Sequence, residues 1–378
     1  MKIVKVTIAI FVVVVLVACI IVPISNPSED YDTWYYDDYR SLESVSSASG
    51  SLELVDIGGT SYVHASNVGN GQITYSDGST DIVNVQKAKL DVFFLYGQSN
   101  AAGRNSDPSK VDHYPELGTT YYFGYSDAFG PDASLNNSGF DVSLCDMYSL
   151  YDSSGAPRVA GLLPDFSYEY QKITGHKVYV INGAVGNKSI LAFGPPNGFM
   201  WEYGDSILTA GLAEIDTDLY DYSCKYYMWI QGEGDSGRDI AVYKDKFLVM
   251  HNSMLDGQMA GVHFEKCFIS KVRAENGQNS SIAQIELADE NPNTIVMATT
   301  VSDSFTVSNG LMGADNLHYS QSGYDLIGTA FAESIGEVVN PTSAVMEKYS
   351  DLIGAIPIMI FAALLLLVAV VVVKKQSY

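Results

Sequence analysis

From residue 90 to residue 338, continuous apolar runs alternate with segments whose apolar residues recur at helical spacing. A strand that is apolar along its whole length is buried on both faces, as in a parallel sheet covered by helices. The pattern therefore predicts an α/β domain built on a five-stranded parallel sheet. The predicted strands are residues 90–96, 177–182, 225–230, 266–272 and 294–301. The predicted helices are residues 162–174, 206–216, 240–256, 280–288 and 321–338.

Other patterns surround this domain. Residues 51–87 alternate apolar and polar positions, with an S-D-G-S turn, and predict a small antiparallel β unit. The simplest interpretation of this unit is a packing arm without a separate function. Residues 25–50 are rich in Tyr, Asp and Ser and predict a stalk. Residues 105–160 are rich in Gly, Asp, Ser, Asn and Tyr and predict an irregular, substrate-facing insertion.

Two charge-free apolar segments lie near the ends of the chain, at Val6–Ile24 and Leu352–Val373. Each is close to the roughly 20 residues that a helix needs to cross a bilayer. Lysines on their outer sides predict cytoplasmic termini, with a short cytoplasmic tail at 374–378, and an extracellular middle portion. The segment within residues 1–24 has two alternative interpretations, a cleaved signal peptide and, less well matched, a lipoprotein cleavage box at L-V-A-C. All three alternatives export the middle of the chain.

Composition narrows the class of protein. The 378 residues are 47% hydrophobic and 17% charged, which is too apolar for a disordered chain. The net charge of −23 argues against nucleic acid and anionic lipid headgroups as partners. Cys145, Cys224 and Cys267 have no C-x-x-C spacing and no histidine cluster beside them, which argues against a zinc site. A disulfide between Cys224 and Cys267 is left open at this point.

Polar loops follow the predicted strands. In an open parallel sheet, ligands bind beyond the carboxyl ends of the strands. The segments that fall there are G-Q-S-N at 97–100, I-N-G-A-V-G-N at 181–187, Q-G-E-G-D at 231–235 and D-N-L-H at 315–318. Ser99 follows a buried strand by way of Gly97, and a glycine there permits the tight turn that exposes a nucleophilic hydroxyl.

A base for this hydroxyl is available in the last of these loops. Of six histidines, His318 follows a strand and has a carboxylate, Asp315, three residues before it. That spacing puts both side chains on one side of a turn, so that the carboxylate can hold one ring nitrogen while the other faces Ser99. The alternative for this pair alone is a turn that caps the next helix. Together with Ser99, the pair favours nucleophilic hydrolysis of an ester.

The two middle loops offer donors for an oxyanion. The amide of Gly186 lies just past a strand, and the carboxamide of Gln231 is a neutral donor. Glu233 has two interpretations, a loop brace or a substrate contact. Trp201, with Phe199, either walls an acyl pocket or belongs to the core.

Three motifs resemble a known family. G-Q-S-N-A-A-G-R resembles the G-Q-S-N-M-A-G-R opening of the sialate O-acetylesterase group of SGNH (GDSL-type) hydrolases, which is related to acetylxylan esterases. W-I-Q-G-E-G-D resembles the family's Q-G-E-S-D block, and D-N-L-H-Y-S-Q-S-G-Y resembles its terminal D-x-x-H block. The resemblance covers about residues 90–340.

The resemblance implies a flavodoxin-like three-layer α/β/α fold for residues 89–342 and an esterase activity that needs no metal or organic cofactor. It implies that Ser99 is the nucleophile and that Asp315 and His318 are its partners. The oxyanion hole would be formed by the Ser99 amide, Gly186 and Gln231. The expected substrate is an O-acetylated carbohydrate. The residues expected to contact it are Gln98, Asn100, Asn187, Trp201 and Glu233.

The chain departs from the family pattern at Ala101, at Gly234 and in the second block. Where members carry a G-G-T-S-like segment, this chain has G-N-K-S, so Asn187 stands beside Gly186. Asn187 also begins an N-K-S glycosylation sequon, which is expected to stay unoccupied beside a substrate site. The altered block favours an alternative function, a surface carbohydrate-binding or adhesion protein on an esterase fold. A lipase or thioesterase on the same fold is a third alternative.

Overall fold

The computed structural model describes residues 33–124, 148–149 and 159–341. The predicted membrane segments at 6–24 and 352–373, and Cys145, lie outside the described residues. Within the described part of the chain, no helix is both long enough and apolar enough to span a bilayer.

The first of two compact units comprises residues 33–55 and Tyr62–Lys87. Its strands form one sheet in the order β1-β7-β6-β3 and another in the order β2-β5-β4. These strands are β1 (Trp34–Tyr35), β2 (Tyr39–Arg40), β3 (Val45–Gly50), β4 (Leu52–Ile57), β5 (Thr60–Ala65), β6 (Gly69–Tyr75) and β7 (Thr80–Gln86). A core of Trp34, Leu52, Val63, Ala65, Ile73 and Val85 joins the two sheets.

The β unit begins earlier than the sequence pattern indicates. Residues 34–50, predicted as part of a stalk, contain β1, β2 and β3. Their sequences, including V-S-S-A-S-G, have too few aliphatic residues to show an alternation. Burial of Trp34, which is 3% exposed, ties this segment into the unit.

The second unit contains the predicted α/β domain and begins its sheet at Ala88. The strands of this sheet are β8 (Ala88–Gly97), β9 (Thr120–Gly124), β10 (Tyr148–Ser149), β11 (Lys177–Asn182), β12 (Tyr220–Ile230), β13 (Lys266–Ser270) and β14 (Ile295–Thr299). Their order is β10-β9-β11-β8-β12-β13-β14. Among the described residues, six of them run parallel and the short β10 pairs antiparallel with β9.

Helices cover both faces of this sheet. They are α1 (Leu163–Thr174), α2 (Phe199–Ala213), α3 (Ile240–Leu255), α4 (Gln278–Glu290) and α5 (Gln321–Val339). Side chains alternate across each strand, so Phe93 of β8 packs with Phe166 and Tyr170 of α1, while Tyr96 packs against Phe193 and Trp229. The order β11-β8-β12-β13-β14 is the flavodoxin-like arrangement, with β9 added outside β11.

The sheet has one more parallel strand than predicted. The additional strand, β9, lies within the segment predicted to be irregular. It was missed because T-Y-Y-F-G is a short aromatic run between polar loops. It is buried throughout and pairs with β11. Helix α2 also begins at Phe199 rather than at residue 206, because the glycines around F-M-W-E-Y indicate a loop when the sequence is considered alone.

The cysteine pairing left open by the sequence does not occur. Cys224 and Cys267 are both free thiols, and they lie on β12 and β13. Burial raises the pKa of the Cys224 thiol to about 12 and raises that of Cys267 further. Both side chains are therefore inert packing groups in this sheet.

Candidate active site

Ser99 lies directly beyond the carboxyl end of β8, in the turn that begins at Gly97. Gly97 has φ +147°, and a Cβ there would lie 2.0 Å from the carbonyl oxygen of Ile230 on the neighbouring strand. Only glycine permits this close approach and this backbone conformation. The Gln98 amide then donates to the same carbonyl at 3.0 Å, which fixes the start of the turn that presents Ser99.

The loop after β14 brings His318 to Ser99. The Ser99 hydroxyl lies 2.9 Å from His318 Nε2, and His318 Nδ1 lies 2.7 Å from Asp315 Oδ2. Because an ionised carboxylate only accepts hydrogen bonds, Nδ1 carries the ring proton and Nε2 is left to accept from Ser99. The three side chains predicted from the sequence therefore form one hydrogen-bonded line.

Four donors surround the Asp315 carboxylate. The amides of Leu317 and His318 each donate to Oδ1 at 3.0 Å, and the His318 ring and Asn105 Nδ2 donate to Oδ2. Partial burial by itself raises the pKa of Asp315, but these hydrogen bonds outweigh it and hold the pKa well below its usual range. Asp315 is therefore ionised wherever His318 can act as a base.

Two backbone amides next to Ser99 are available to an oxyanion. A Cβ on Gly186 would lie 3.7 Å from the Ser99 Cβ, so this loop passes beside the serine. The Val185 amide donates to the Gly97 carbonyl at 3.2 Å and anchors the loop there. Within the described residues, the amides of Ser99 and Gly186 donate to no protein acceptor. They are therefore the candidate donors for negative charge that develops near Ser99.

Gln231 does not act as an oxyanion donor in this structure, contrary to the prediction. Its side chain is fully buried, and Nε2 donates to Asp235 Oδ2 at 2.6 Å and to the Lys188 carbonyl at 3.0 Å. Its Oε1 accepts from the Tyr243 hydroxyl at 2.9 Å. Both amide hydrogens are used internally, so Gln231 ties the second and third loops together instead.

Asn100 is an internal brace, and the Oε1 atom of Gln98 belongs to the same network of loop contacts. Gln98 is 4% exposed; its Oε1 accepts from the Gly234 amide at 3.4 Å and lies 3.3 Å from Gln231 Nε2. Asn100 is 1% exposed, and its Nδ2 donates to Glu233 Oε1 and to the Leu317 carbonyl. Its Oδ1 accepts from the Tyr319 amide and the Tyr324 hydroxyl, both at 3.2 Å. The polar ends of the G-Q-S-N motif therefore hold the loops around Ser99.

Glu233 has one bonded oxygen and one unbonded oxygen. Oε1 accepts from Asn100, whereas Oε2 is buried without a hydrogen-bond partner among the described residues. Burial raises the pKa of Glu233, and the Asn100 hydrogen bond and the nearby His318 oppose that rise only in part. Glu233 thus braces the nucleophile turn and places a second carboxyl group near the His318 ring.

The other two predicted substrate contacts differ in exposure. Trp201 lies in α2 and is 6% exposed, so it belongs to the core. Asn187 is exposed in the loop beside Gly186, with φ +57°, and its side chain remains accessible.

Two positioning side chains in this site were not identified from the sequence. Asn105 reaches Asp315 from the end of the nucleophile turn, at 3.1 Å. Arg273, 3% exposed, follows β13; its Nη2 donates to the Asn316 carbonyl and its Nη1 to Asn316 Oδ1. Asn316 lies between Asp315 and His318 in the chain and has a positive φ. Because Arg273 binds both its carbonyl and its side chain, Arg273 fixes the shape of that loop. The signal in the sequence that could have identified Arg273 is its position as a charged residue directly after the predicted strand 266–272.

One family of known proteins matches most of the α/β domain. The family described as "Carbohydrate esterase, sialic acid-specific acetylesterase" matches residues 89–337, about two thirds of the chain. No curated protein sequence matches the chain.

Similar solved structures include a protein from Arabidopsis thaliana, at 16% identity and TM-score 0.45, covering 66% of this chain and 98% of that one. NanS is 14% identical with TM-score 0.46, covering 66% of this chain and 97% of its own. XAC1771, described as a carbohydrate acetylesterase from Xanthomonas citri, is 12% identical with TM-score 0.41, covering 81% and 72%. On the strength of the family match, the chain belongs to the sialic acid-specific acetylesterase family of carbohydrate esterases.

Proposed function

We propose that this protein is a serine esterase that removes O-acetyl groups from carbohydrate, with Ser99, His318 and Asp315 as its catalytic residues. The observation that supports it most directly is the hydrogen-bonded line from Ser99 Oγ through both ring nitrogens of His318 to Asp315 Oδ2. A line of this kind activates a serine hydroxyl that is otherwise a weak nucleophile.

In the first half of the reaction, Ser99 Oγ attacks the acetyl carbonyl carbon while His318 Nε2 takes the hydroxyl proton. The carbonyl oxygen becomes an oxyanion, which the amides of Ser99 and Gly186 stabilise. Asp315 stabilises the imidazolium without taking its proton. The tetrahedral intermediate collapses, the sugar oxygen leaves with the proton from His318, and an acetyl-serine remains.

In the second half, water replaces the sugar. His318 removes a proton from the water, whose oxygen attacks the acetyl-serine carbonyl. Collapse of the second intermediate breaks the bond to Ser99 Oγ, which recovers its proton from His318, and acetate is released. The protons of Ser99 and of the leaving sugar oxygen pass through His318 Nε2, 2.9 Å from the serine, as does one proton of the attacking water. The other water proton leaves on the acetic acid, which ionises to acetate in solution.

Carbohydrate acetyl esters are the proposed substrates because of the family match, whose description specifies sialic acid. The test is acetate release from a panel of O-acetylated sialic acids, xylans and simple hexoses by the protein and by Ser99→Ala. We expect release from acetylated sugar that depends on Ser99. Acetate release by the alanine variant at the parent rate contradicts the proposed mechanism, and hydrolysis of long acyl esters alone contradicts the proposed substrate class.

We also propose that the esterase domain lies outside the cell, anchored by the apolar segments Val6–Ile24 and Leu352–Val373, with the C-terminus in the cytoplasm. The lysines that follow the second segment support this orientation. External protease added to intact cells should remove the esterase domain and leave a C-terminal epitope tag protected. Protection of the esterase domain contradicts the proposal.

A further inference from the structure

Asp315 receives one of its hydrogen bonds from a distant part of the chain. Among the described residues, three of its four donors belong to its own loop, and the fourth is Asn105 Nδ2, 3.1 Å from Oδ2. Asn105 closes the turn that begins at Ser99, where the Arg104 amide donates to the Ser99 carbonyl at 3.0 Å. The Asn105–Asp315 bond therefore joins the nucleophile turn directly to the acid.

The local backbone is built for this contact. Asn105 has φ +68°, a left-handed conformation that asparagine and glycine adopt more readily than other residues. On the opposite side, a Cβ on Gly313 would lie 2.9 Å from Asn105 Nδ2, so the glycine leaves the space that the amide occupies. The Gly313 amide donates to the His318 carbonyl at 2.8 Å, which keeps this glycine in register with the histidine.

We propose that Asn105 is a positioning residue of the esterase reaction, whose amide orients the Asp315 carboxylate toward His318 and keeps the serine and histidine loops in register. This inference rests on the proposed function. Asn105 touches neither Ser99 Oγ nor the His318 ring by any described hydrogen bond, so it acts through Asp315. As a neutral donor, it satisfies the carboxylate without competing for the proton on His318 Nδ1.

Asn105→Gly tests the amide, because glycine keeps the left-handed backbone and removes only the side chain. We expect kcat for p-nitrophenyl acetate to fall about tenfold with KM unchanged within about twofold, as for a lost hydrogen bond that matters in the transition state. Gly313→Ala crowds the Asn105 amide from the other side and should lower kcat in the same way. Its new methyl group also approaches the His318 carbonyl, at 3.3 Å, so the glycine variant carries the quantitative test.

Asn105→Asp tests the neutrality of the donor. The carboxyl groups that already face the His318 ring are Asp315 and Glu233. An added carboxylate favours the imidazolium, so the acidic limb of kcat/KM against pH should move to higher pH by about one unit. Asn293→Asp, an exposed position before β14 at the amino ends of the strands, adds the same charge and should leave the profile unchanged.

The inference is overturned if Asn105→Gly keeps the parent kcat, whether or not its melting temperature falls. It is also overturned if the limb moves equally in Asn105→Asp and Asn293→Asp. Ser99→Ala separates this failure from failure of the proposed function. An inactive Ser99→Ala together with a fully active Asn105→Gly removes only the role of Asn105, whereas an active Ser99→Ala removes the proposed mechanism itself.

Discussion

Ser99 Oγ lies 2.9 Å from His318 Nε2 although 219 residues separate the two along the chain. Gly97 sets one side of this contact and the Asp315–His318 turn sets the other. The distance is short enough for direct proton transfer without a bridging water. The contact is therefore the first feature of the site to test by substitution.

Ser99→Ala should lower kcat/KM for p-nitrophenyl acetate by about four orders of magnitude or more, because the hydroxyl that attacks the ester is lost. A fluorophosphonate probe should label the parent protein and leave the alanine variant unlabelled. The same probe separates an esterase from a carbohydrate-binding or adhesion protein on this fold, since a binding protein has no activated serine. Failure to label the folded parent protein argues for the binding protein.

Gly97→Ala should destabilise the α/β domain by about 3 kcal/mol, because the methyl group meets the Ile230 carbonyl and the backbone has positive φ. Gly175→Ala is a matched control, with φ +69° and no atom within 4 Å of the added Cβ. It should cost about 1 kcal/mol, the strain of the backbone alone. Urea denaturation gives both values. An equal loss in the free energy of unfolding at the two positions would show that Gly97 and the Ile230 carbonyl are farther apart in solution.

Glu233→Gln should move the acidic limb of the kcat/KM profile to lower pH, because it removes the charge that Glu233 carries near the His318 ring once it is ionised. The raised pKa of Glu233 keeps this charge partial at low pH, so the expected shift is only roughly half a unit. The side chain keeps an oxygen to accept from Asn100, so kcat on the plateau should stay within about threefold of the parent value. Loss of activity at every pH is the contrary result. It would mean that Glu233 acts on the histidine directly.

Asp165 and Asp325 form a buried pair near the starts of α1 and α5. The free energy of unfolding should fall as the pH rises and this pair ionises. Burial raises the pKa of Asp325 to about 8, Gln321 opposes the rise, and the neighbouring Asp165 adds to it. A raised carboxyl pKa contributes stability that is fully present below about pH 4 and is lost as the pH passes 8.

Asp325→Asn imitates the protonated acid at every pH, so its melting temperature should fall less between pH 6 and pH 9 than that of the parent protein. At pH 9 the free energy of unfolding of the variant should exceed that of the parent protein by about 1 to 2 kcal/mol. Asp289→Asn, at an exposed position of α4, removes one charge without touching the pair and serves as the control. Parallel curves for parent and Asp325→Asn would show that the pair shares no proton in the folded protein.

The sequence predicted the frame of the domain because its strands are apolar runs of ordinary length. Lys177–Asn182 was predicted to the residue, since every position of that strand is buried. Thr120–Gly124 was missed because five aromatic and small residues among polar loops carry no helical or alternating period. Trp34 was missed for a related reason, since its neighbours are polar although its own ring is 3% exposed.

In the site, residues whose role follows from chemical type and spacing were predicted, and residues whose role depends on partners were not. Asp315 and His318 stand three residues apart, so one turn brings them together. Gln231 was predicted as an oxyanion donor from its residue type, its loop position and the family resemblance. Its two amide hydrogens are committed to Asp235 and to a backbone carbonyl by contacts that no spacing reveals. Asn105 was missed because its role depends on its contact with Asp315, which neither the residue type nor any spacing along the chain indicates.

The four hydrogen bonds of Asn100 join three loops into one unit. During denaturation, detachment of any one of these loops breaks hydrogen bonds that also hold the other two. The alignment of the catalytic residues should therefore be lost in one step while much of the sheet remains folded. Esterase turnover can thus serve as an early and sensitive reporter of damage at the carboxyl edge, ahead of any spectroscopic change in the helices.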